Sequence, residues 1–340
     1  IGSLNHPGYR GDWGSALSVG GLLWDNGGLS WQKKALEALR QAKLGESKAL
    51  EGILLVRWSE LYMRALGVAE LKEYARTQYL ELLKDLDEAK KLEEQGVVLG
   101  ADVSLAQAMA LGLAAATDKL EAEYRALKAG LAELYGEEIE SLEKVELKDE
   151  IFSGKEGESY RVLASQRALE ASEAMVKASQ REDGPRVGWK VSEEFHVSGN
   201  DEGNATTAYV GGSWTIFNPQ KPAKVAAAKA KRQEQAAVLE AAQRQVRKER
   251  ELLAAQLETL ESQLPRISKS VEELERSLEL TSQLYKEGRK SIADVAMLRQ
   301  KLLEGVEVKQ RALAAYMGTR VAREENKGCL NLEYYLELWK

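Results

Sequence analysis

Apolar residues recur at spacings of three and four along most of the chain, and this period predicts helices. Two very long segments follow it, from about Leu29 to Glu94 and from residue 220 to the glycine at 288. After a short break, each is followed by a second helical segment, predicted from Val103 to Tyr135 and from Ile292 to Arg323. Apolar seams sustained over this length are typical of coiled-coil packing. The chain is therefore predicted to contain two long antiparallel helical hairpins.

Elsewhere, apolar and polar residues alternate with the period of two that is typical of strands. The pattern is sharpest from Val187 to Val197, where only Glu193 interrupts the apolar row. A polar turn is predicted at 200–204 and a partner strand at 207–216, which gives a β-hairpin with strands of about ten residues. A further strand is predicted at 15–24.

Shorter segments connect these elements. An Ala-rich helix is predicted at 160–181, because Asp183-Gly184-Pro185 follows it and stops it. Residues 136–157 are acidic and irregular and are predicted to form a connector. Residues 1–14 are predicted to be a loop with at most a strand end near Ile1, and residues 329–340 a short aromatic tail.

The breaks inside the two hairpins share one skeleton, a glycine, five residues and Asp-Val. It occurs at Gly96 to Val103 and again at Gly288 to Val295. A glycine with positive φ ends one helix and the following residues start the next, so each break is predicted to be a helix-turn-helix tip. Trp24 lies 72 positions before the first glycine, and Phe217 lies 71 before the second. The chain is therefore interpreted as two copies of one unit.

Composition narrows the class of protein. Of 340 residues, 44% are hydrophobic, but only three are Phe and five are Pro, as expected of long packed helices. The net charge of -6, with acids interleaved among the bases, disfavours nucleic acid as a partner. The single cysteine, Cys329, excludes an internal disulfide. No segment has the roughly 20 apolar residues of a spanning helix, so a membrane role would have to use strands.

Catalytic chemistry has no basis in the sequence. There is no phosphate-binding loop, no nucleophile elbow and no Cys/His cluster, and the only histidines are His6 and His196. His196 lies on the polar side of its strand and is predicted to be a lumen or surface residue. We therefore predict a protein that is not an enzyme and that uses no cofactor or metal.

In their order and doubled spacing, these features resemble the TolC-like outer-membrane efflux channel family. The matching features are the two tips, the strand-to-helix junctions at 23–27 and 216–219, and the Ala-rich helix that ends in Pro185 before a strand. They follow the family's order over nearly the whole chain. The sequence lacks the family's first helices and most of one strand, which we expect in sequence that precedes Ile1.

The resemblance implies a mostly α fold with a small β part, internally duplicated. Long antiparallel coiled-coil hairpins would form a trimeric α-barrel, and β-hairpins a shared transmembrane β-barrel. The implied domains are outer-membrane barrel strands at 1–24 and 187–217, a first periplasmic hairpin at 28–135, an equatorial connector and helix at 136–186, a second hairpin at 220–325 and a tail at 326–340.

The implied function is that of a passive export duct, the outer-membrane channel of a tripartite efflux or type I secretion system. Its partners would be two further copies of the chain, outer-membrane lipid, a periplasmic adaptor and, through the adaptor, an inner-membrane pump that chooses the cargo. The alternative is a coiled-coil scaffold or spacer without a pore, whose strands pack as a cap. A scaffold would be soluble without detergent, whereas the duct would require it.

The resemblance also implies a gate at the tips. In the family, polar links between the tips hold the periplasmic mouth closed, and the matching positions here are Asp102, Tyr285 and Lys290, with Lys290 in place of an Arg. An ammonium cannot form a bidentate fork with a carboxylate, so the link is expected to be weaker. Asp294 matches one position of an acidic ring, and Met297 stands at the second. Alternatively, Asp102 and Asp294 only cap their helices.

The tips are also the implied docking site for the adaptor's helical hairpins. The alternative is that their small residues only permit tight turns. The residues implied to lie near the adaptor are Gly96, Val97, Val98, Gly288, Arg289, Ser291 and Ile292.

Overall fold

The computed structural model describes residues 3–5, 13–137, 142, 157–198 and 201–328. The expectations for His6, Cys329, the tail from 329 and most of the connector lie outside these residues, as does the side chain of His196. Within the described ranges the chain is mostly helical with a small sheet, as predicted. The elements in chain order are β1 Ser3–Asn5, β2 Trp13–Trp24, α1 Gly28–Glu94, α2 Gly100–Tyr135, α3 Tyr160–Arg181, β3 Arg186–Ser198, β4 Asp201–Ser213, α4 Lys221–Lys286 and α5 Ile292–Asn326.

The two predicted helical pairs are confirmed, and their lengths agree with a duplication. Helices α1 and α2 have 67 and 36 residues, and α4 and α5 have 66 and 35. Both breaks contain a glycine with positive φ, Gly96 at 72° and Gly288 at 70°. Helix α4 continues through Pro265. No helix in the described ranges has the length and apolar character needed to cross a membrane.

The strands form one antiparallel sheet in the order β1-β2-β3-β4. The predicted ends of the hairpin β3-β4 are wrong by a few residues. The turn was expected at 200–204, but β4 begins at Asp201 because this residue pairs directly with Ser198. The strand was expected to reach 216, but it ends at Ser213, opposite Arg186 at the beginning of its partner.

One face of the sheet is apolar and exposed. The register places Val19, Val191 and Ala208 side by side on three neighbouring strands, and directly paired residues face the same side. Val19 is 60% exposed and Val210 is 69% exposed. We call this surface the apolar sheet face. Glu193 and Thr206 also lie on it, and its apolar residues are Leu17, Val19, Val187, Trp189, Val191, Phe195, Ala208 and Val210.

The chain divides into two compact units. The first comprises residues 1–46 and 161–244, and its buried residues include a row of small side chains on α3, among them Ala164, Ala171 and Ala178. The second comprises residues 47–160 and 245–340. The functional domains named above stay predictions.

The core of the second unit is formed by α1, α2 and α5. Its main cluster contains long aliphatic side chains together with alanines, which let the helices approach closely. Leu82, Leu113 and Ile292 in this cluster are almost fully buried. A smaller cluster surrounds Tyr62, whose ring stacks on Trp58 with 4.9 Å between ring centroids.

The helix-hairpin tips as candidate functional site

The two tips, residues 95–99 and 287–291, have the same backbone geometry. In the first tip, Gly96 N donates to Glu93 O at 2.8 Å and Val97 N donates to Leu92 O at 2.9 Å. In the second, Gly288 N donates to the carbonyl of Tyr285 and the next amide to Leu284, both at 2.9 Å. These hydrogen bonds satisfy carbonyls left free at a helix end, and the left-handed glycine makes them possible.

The next helices start differently in the two tips. In the second tip, Ser291 Oγ accepts from Asp294 N at 3.2 Å, and Asp294 Oδ2 accepts from Ser291 N at 3.1 Å. This reciprocal pair is a capping box. In the first tip the N-cap is Leu99, which provides no side-chain cap. Asp102 lies in the first turn of α2, where a carboxylate is favourable near the positive end of the helix dipole. Asp294 therefore forms a side-chain cap, whereas Asp102 has only the favourable interaction with the helix dipole.

Lys290 lies beside Asp294 within its own tip. Its Nζ is 3.8 Å from Asp294 Oδ2, and both side chains are well exposed. Among the described residues, Asp102 forms no ion pair or side-chain hydrogen bond. The chain by itself therefore does not link Asp102 to Lys290 or Tyr285, and such a link remains a prediction for an assembly of several chains.

Tyr285 is partly buried against the core of the second unit. Its hydroxyl donates to the backbone oxygen of Asp85 at 3.5 Å, the upper limit for a hydrogen bond. Burial raises the pKa of Tyr285, and the nearby Asp85 and Glu88 carboxylates raise this pKa further. The phenol is therefore a neutral donor at physiological pH.

A buried arginine close to the tips was missed by the sequence analysis. Arg299 on α5 is 6% exposed and donates to Gln78 Oε1 at 2.7 Å and to Asp85 Oδ2 at 3.0 Å, both on α1. It also forms an ion pair with Glu81, one turn before Asp85. Asp85 thus contacts the second hairpin twice, through its carboxylate on Arg299 and its carbonyl on Tyr285. The sequence does contain an indication of this site, because Arg299 occupies a position of α5 where the helical period otherwise places apolar residues.

The residues proposed to lie near a partner differ in exposure. Val97 and Leu99 are 69% and 72% exposed, and Leu99 was not among the predicted residues. Arg289 is exposed, and a guanidinium nitrogen of this residue lies 3.6 Å from Oε2 of Glu287 in the same tip. Ile292 is 0% exposed, in the core cluster. The surface available to a partner is therefore the turn residues and not the first residue of α5.

Within the described ranges, no group of three or more His, Cys, Asp or Glu side chains is arranged to hold a metal. The groups that the tips present to a partner are hydrogen-bonding groups, exposed charges and exposed apolar side chains.

Comparison with known proteins defines the class. Residues 157–317 match the family model described as outer membrane efflux protein. No curated protein sequence matches the chain. Several solved outer-membrane channels share its fold at low sequence identity.

The outer membrane protein VceC of Vibrio cholerae is 16% identical with a TM-score of 0.75, over 97% of this chain and 85% of that chain. The CmeC outer membrane channel of Campylobacter jejuni is 15% identical with a TM-score of 0.77, over 99% of this chain and 79% of that chain. The open state of the MtrE outer membrane channel of Neisseria gonorrhoeae is 16% identical with a TM-score of 0.73, over 96% of this chain and 79% of that chain. Residues 157–317 thus carry an outer membrane efflux protein domain, and the fold of the chain is similar to that of TolC-like outer-membrane efflux channels.

Proposed function

We propose that this protein is the outer-membrane channel of a tripartite efflux or type I secretion system. It would act as a passive duct, without a catalytic step or cofactor, with its strands in the outer membrane and its long helices in the periplasm. The observation that carries the proposal is the exposed apolar sheet face in a chain that matches the outer membrane efflux protein family. Apolar side chains at this exposure are stable against lipid but not against water.

The sheet supports a homotrimer as part of this proposal. Each chain has four strands, with β1 and β4 at the edges. Unpaired strand edges are not stable in hydrocarbon, because their amide and carbonyl groups lack partners there. Three chains would supply twelve strands and close the sheet into a barrel.

The test is the oligomeric state and conductance of the purified protein. Light scattering in detergent is expected to give a trimer, and the trimer is expected to conduct ions in a planar bilayer. A monodisperse monomer in buffer without detergent, with no conductance, would instead identify the scaffold described above.

We further propose that the tips of the three chains form the periplasmic gate. In a symmetric trimer, Asp102 of one chain would lie near Tyr285 and Lys290 of a neighbouring chain. Three copies of Asp294 would form an acidic ring that repels anions and attracts cations. The capping role of Asp294 is compatible with this, because a carboxylate has two oxygens and can serve both purposes.

Replacement of two gate residues is expected to open the mouth. Lys290→Glu with Tyr285→Phe removes a cation and a hydroxyl donor, and an exposed link of this kind contributes about 0.5 kcal/mol. Because two links are lost in each chain, mean single-channel conductance should rise about twofold or more. The matched control is Lys309→Glu with Tyr316→Phe on α5, away from the tips. Wild-type conductance in an intact gate-variant trimer would show that these residues do not hold the gate.

We propose, in addition, that the exposed tip surface binds a periplasmic adaptor. Val97 and Leu99 provide apolar contacts and Arg289 provides charge. Arg289→Glu should therefore lower crosslinking to the adaptor severalfold, since reversing a rim charge weakens encounter and binding. Arg276→Glu, an exposed arginine on α4 paired with Glu273, should leave it unchanged. Equal crosslinking in the two variants would contradict a docking role for Arg289.

A further inference from the structure

A cluster of positive charge surrounds one tryptophan in the first unit. Lys34 Nζ lies 4.5 Å and Lys177 Nζ lies 4.3 Å from the centroid of the Trp31 ring. The guanidinium carbon of Arg181 lies 5.8 Å from the same ring. Two of the three cations lie one turn apart near the end of α3, and the third lies near the start of α1. An aromatic face attracts a cation, but here three positively charged side chains lie close to the same ring.

No carboxylate among the described residues forms an ion pair with these three cations. Asp25 accepts hydrogen bonds from the amides of Gly27 and Leu29 at the start of α1. The other nearby acids are paired elsewhere: Glu37 with Arg40, Glu173 with Arg232, Glu182 with Lys224 and Asp183 with Lys221. Arg181 has one neutral acceptor, Asn26 O at 3.4 Å. The cluster therefore has positive charge available for an anion.

The cluster lies close to the end of the apolar sheet face. Trp24 is the last residue of β2, and Gly28 begins α1. At 1.5 Å per residue, the segment from Gly28 to Lys34 covers about 9 Å of helix. The register brings the end of β4 to the same end of the sheet, because Trp24 pairs with Val187 and Ser213 with Arg186.

Large apolar side chains are exposed at this end of the sheet. Trp24 and Trp214 are more than half exposed, and Ile216 and Phe217 more than four-fifths. Aromatic residues with basic residues just beyond them are typical of the boundary between hydrocarbon and headgroups. The headgroup layer is about 5 to 8 Å thick on each side of a bilayer, which agrees with the position of the cluster.

We propose that Lys34, Lys177 and Arg181, gathered around Trp31, bind the phosphate of an anionic phospholipid in the leaflet at this end of the sheet. The proposal rests on the proposed function, because it requires the sheet to lie in a membrane. The guanidinium can donate two parallel hydrogen bonds to phosphate oxygens, and the ammonium groups act as point charges. The indole ring, apolar with one polar edge, suits the adjoining glycerol region.

The test compares lipid binding by the detergent-purified protein and two triple variants, using native mass spectrometry with phosphatidylglycerol, phosphatidylcholine and inorganic phosphate. The cluster variant, Lys34→Gln with Lys177→Gln and Arg181→Gln, should bind phosphatidylglycerol at least about 20-fold more weakly than the unmodified protein. The control variant, Lys229→Gln with Lys231→Gln and Arg244→Gln, loses the same charge from α4 and should retain the unmodified affinity, because the partner of Arg244 is Glu240 on the same helix. Phosphatidylcholine binding should be the same in all three proteins.

Equal phosphatidylglycerol affinity in the two triple variants would overturn the proposal. Inorganic phosphate bound as tightly as phosphatidylglycerol would also overturn it, since the site would then be one for free phosphate. Conductance measured on the same preparations separates this proposal from the function. A conducting trimer whose lipid binding does not depend on the cluster contradicts only the lipid site, whereas a non-conducting monomer in detergent-free buffer contradicts the channel.

Discussion

Replacing Arg299 by alanine is expected to lower the free energy of unfolding by about 2 to 4 kcal/mol. The substitution leaves the buried Gln78 amide without its partner and removes two ion pairs, to Glu81 and Asp85. The estimate lies below the full cost of breaking a buried pair, because Glu81 is half exposed and can be solvated when the arginine is gone. Urea unfolding of the protein in detergent, followed by circular dichroism, measures the change.

Arg311 is the matched control for this prediction. It lies on the same helix and pairs with Glu307 one turn away, but its side chain is 68% exposed. Arg311→Ala should therefore change the unfolding free energy by less than about 0.5 kcal/mol. If the two substitutions lowered the free energy of unfolding by the same small amount, the buried network around Arg299 would not stabilise the packing of α5 on α1.

Ile292→Ala is expected to lower the free energy of unfolding by about 2 to 4 kcal/mol. Ile292 is fully buried in the cluster formed by α1, α2 and α5, so truncation removes apolar contacts and leaves a cavity there. The same urea titration measures the loss.

Val97→Ala, in the other tip, is the control, because this residue is largely exposed and truncation should cost less than about 0.5 kcal/mol. Crosslinking of the folded proteins to the adaptor should show the reverse. The Val97 variant should lose crosslinking, and the Ile292 variant should keep it. A stable Ile292→Ala protein that no longer binds the adaptor would restore Ile292 to the docking surface.

The helices could be predicted from sequence because their periodicity extends over many turns. The predicted start of α1 differs from the observed one by a single residue, and the predicted bounds of α3 agree at both ends. The ends of β4 could not be predicted, because a strand ends where its partner ends. The pairing of Ser198 with Asp201 is not encoded in the composition of the turn alone.

The site was less accessible to sequence reasoning than the fold. Both tip glycines follow from local backbone geometry and were found. The burial of Ile292 and the network of Arg299 depend on contacts with α1, more than 200 positions away in the chain. The cluster around Trp31 similarly joins residues from α1 and α3, which sequence alone does not bring together.

The two compact units have a consequence for the origin of the chain. Each unit combines a segment from the first copy of the repeat, 1–46 or 47–160, with a segment from the second, 161–244 or 245–340. Neither copy contains a complete unit of its own. An ancestor with a single copy would therefore have folded only by pairing with another such molecule, and fusion of two genes would have turned that association into a covalent one. Cutting the present chain between its copies should likewise give two fragments that fold together and not apart.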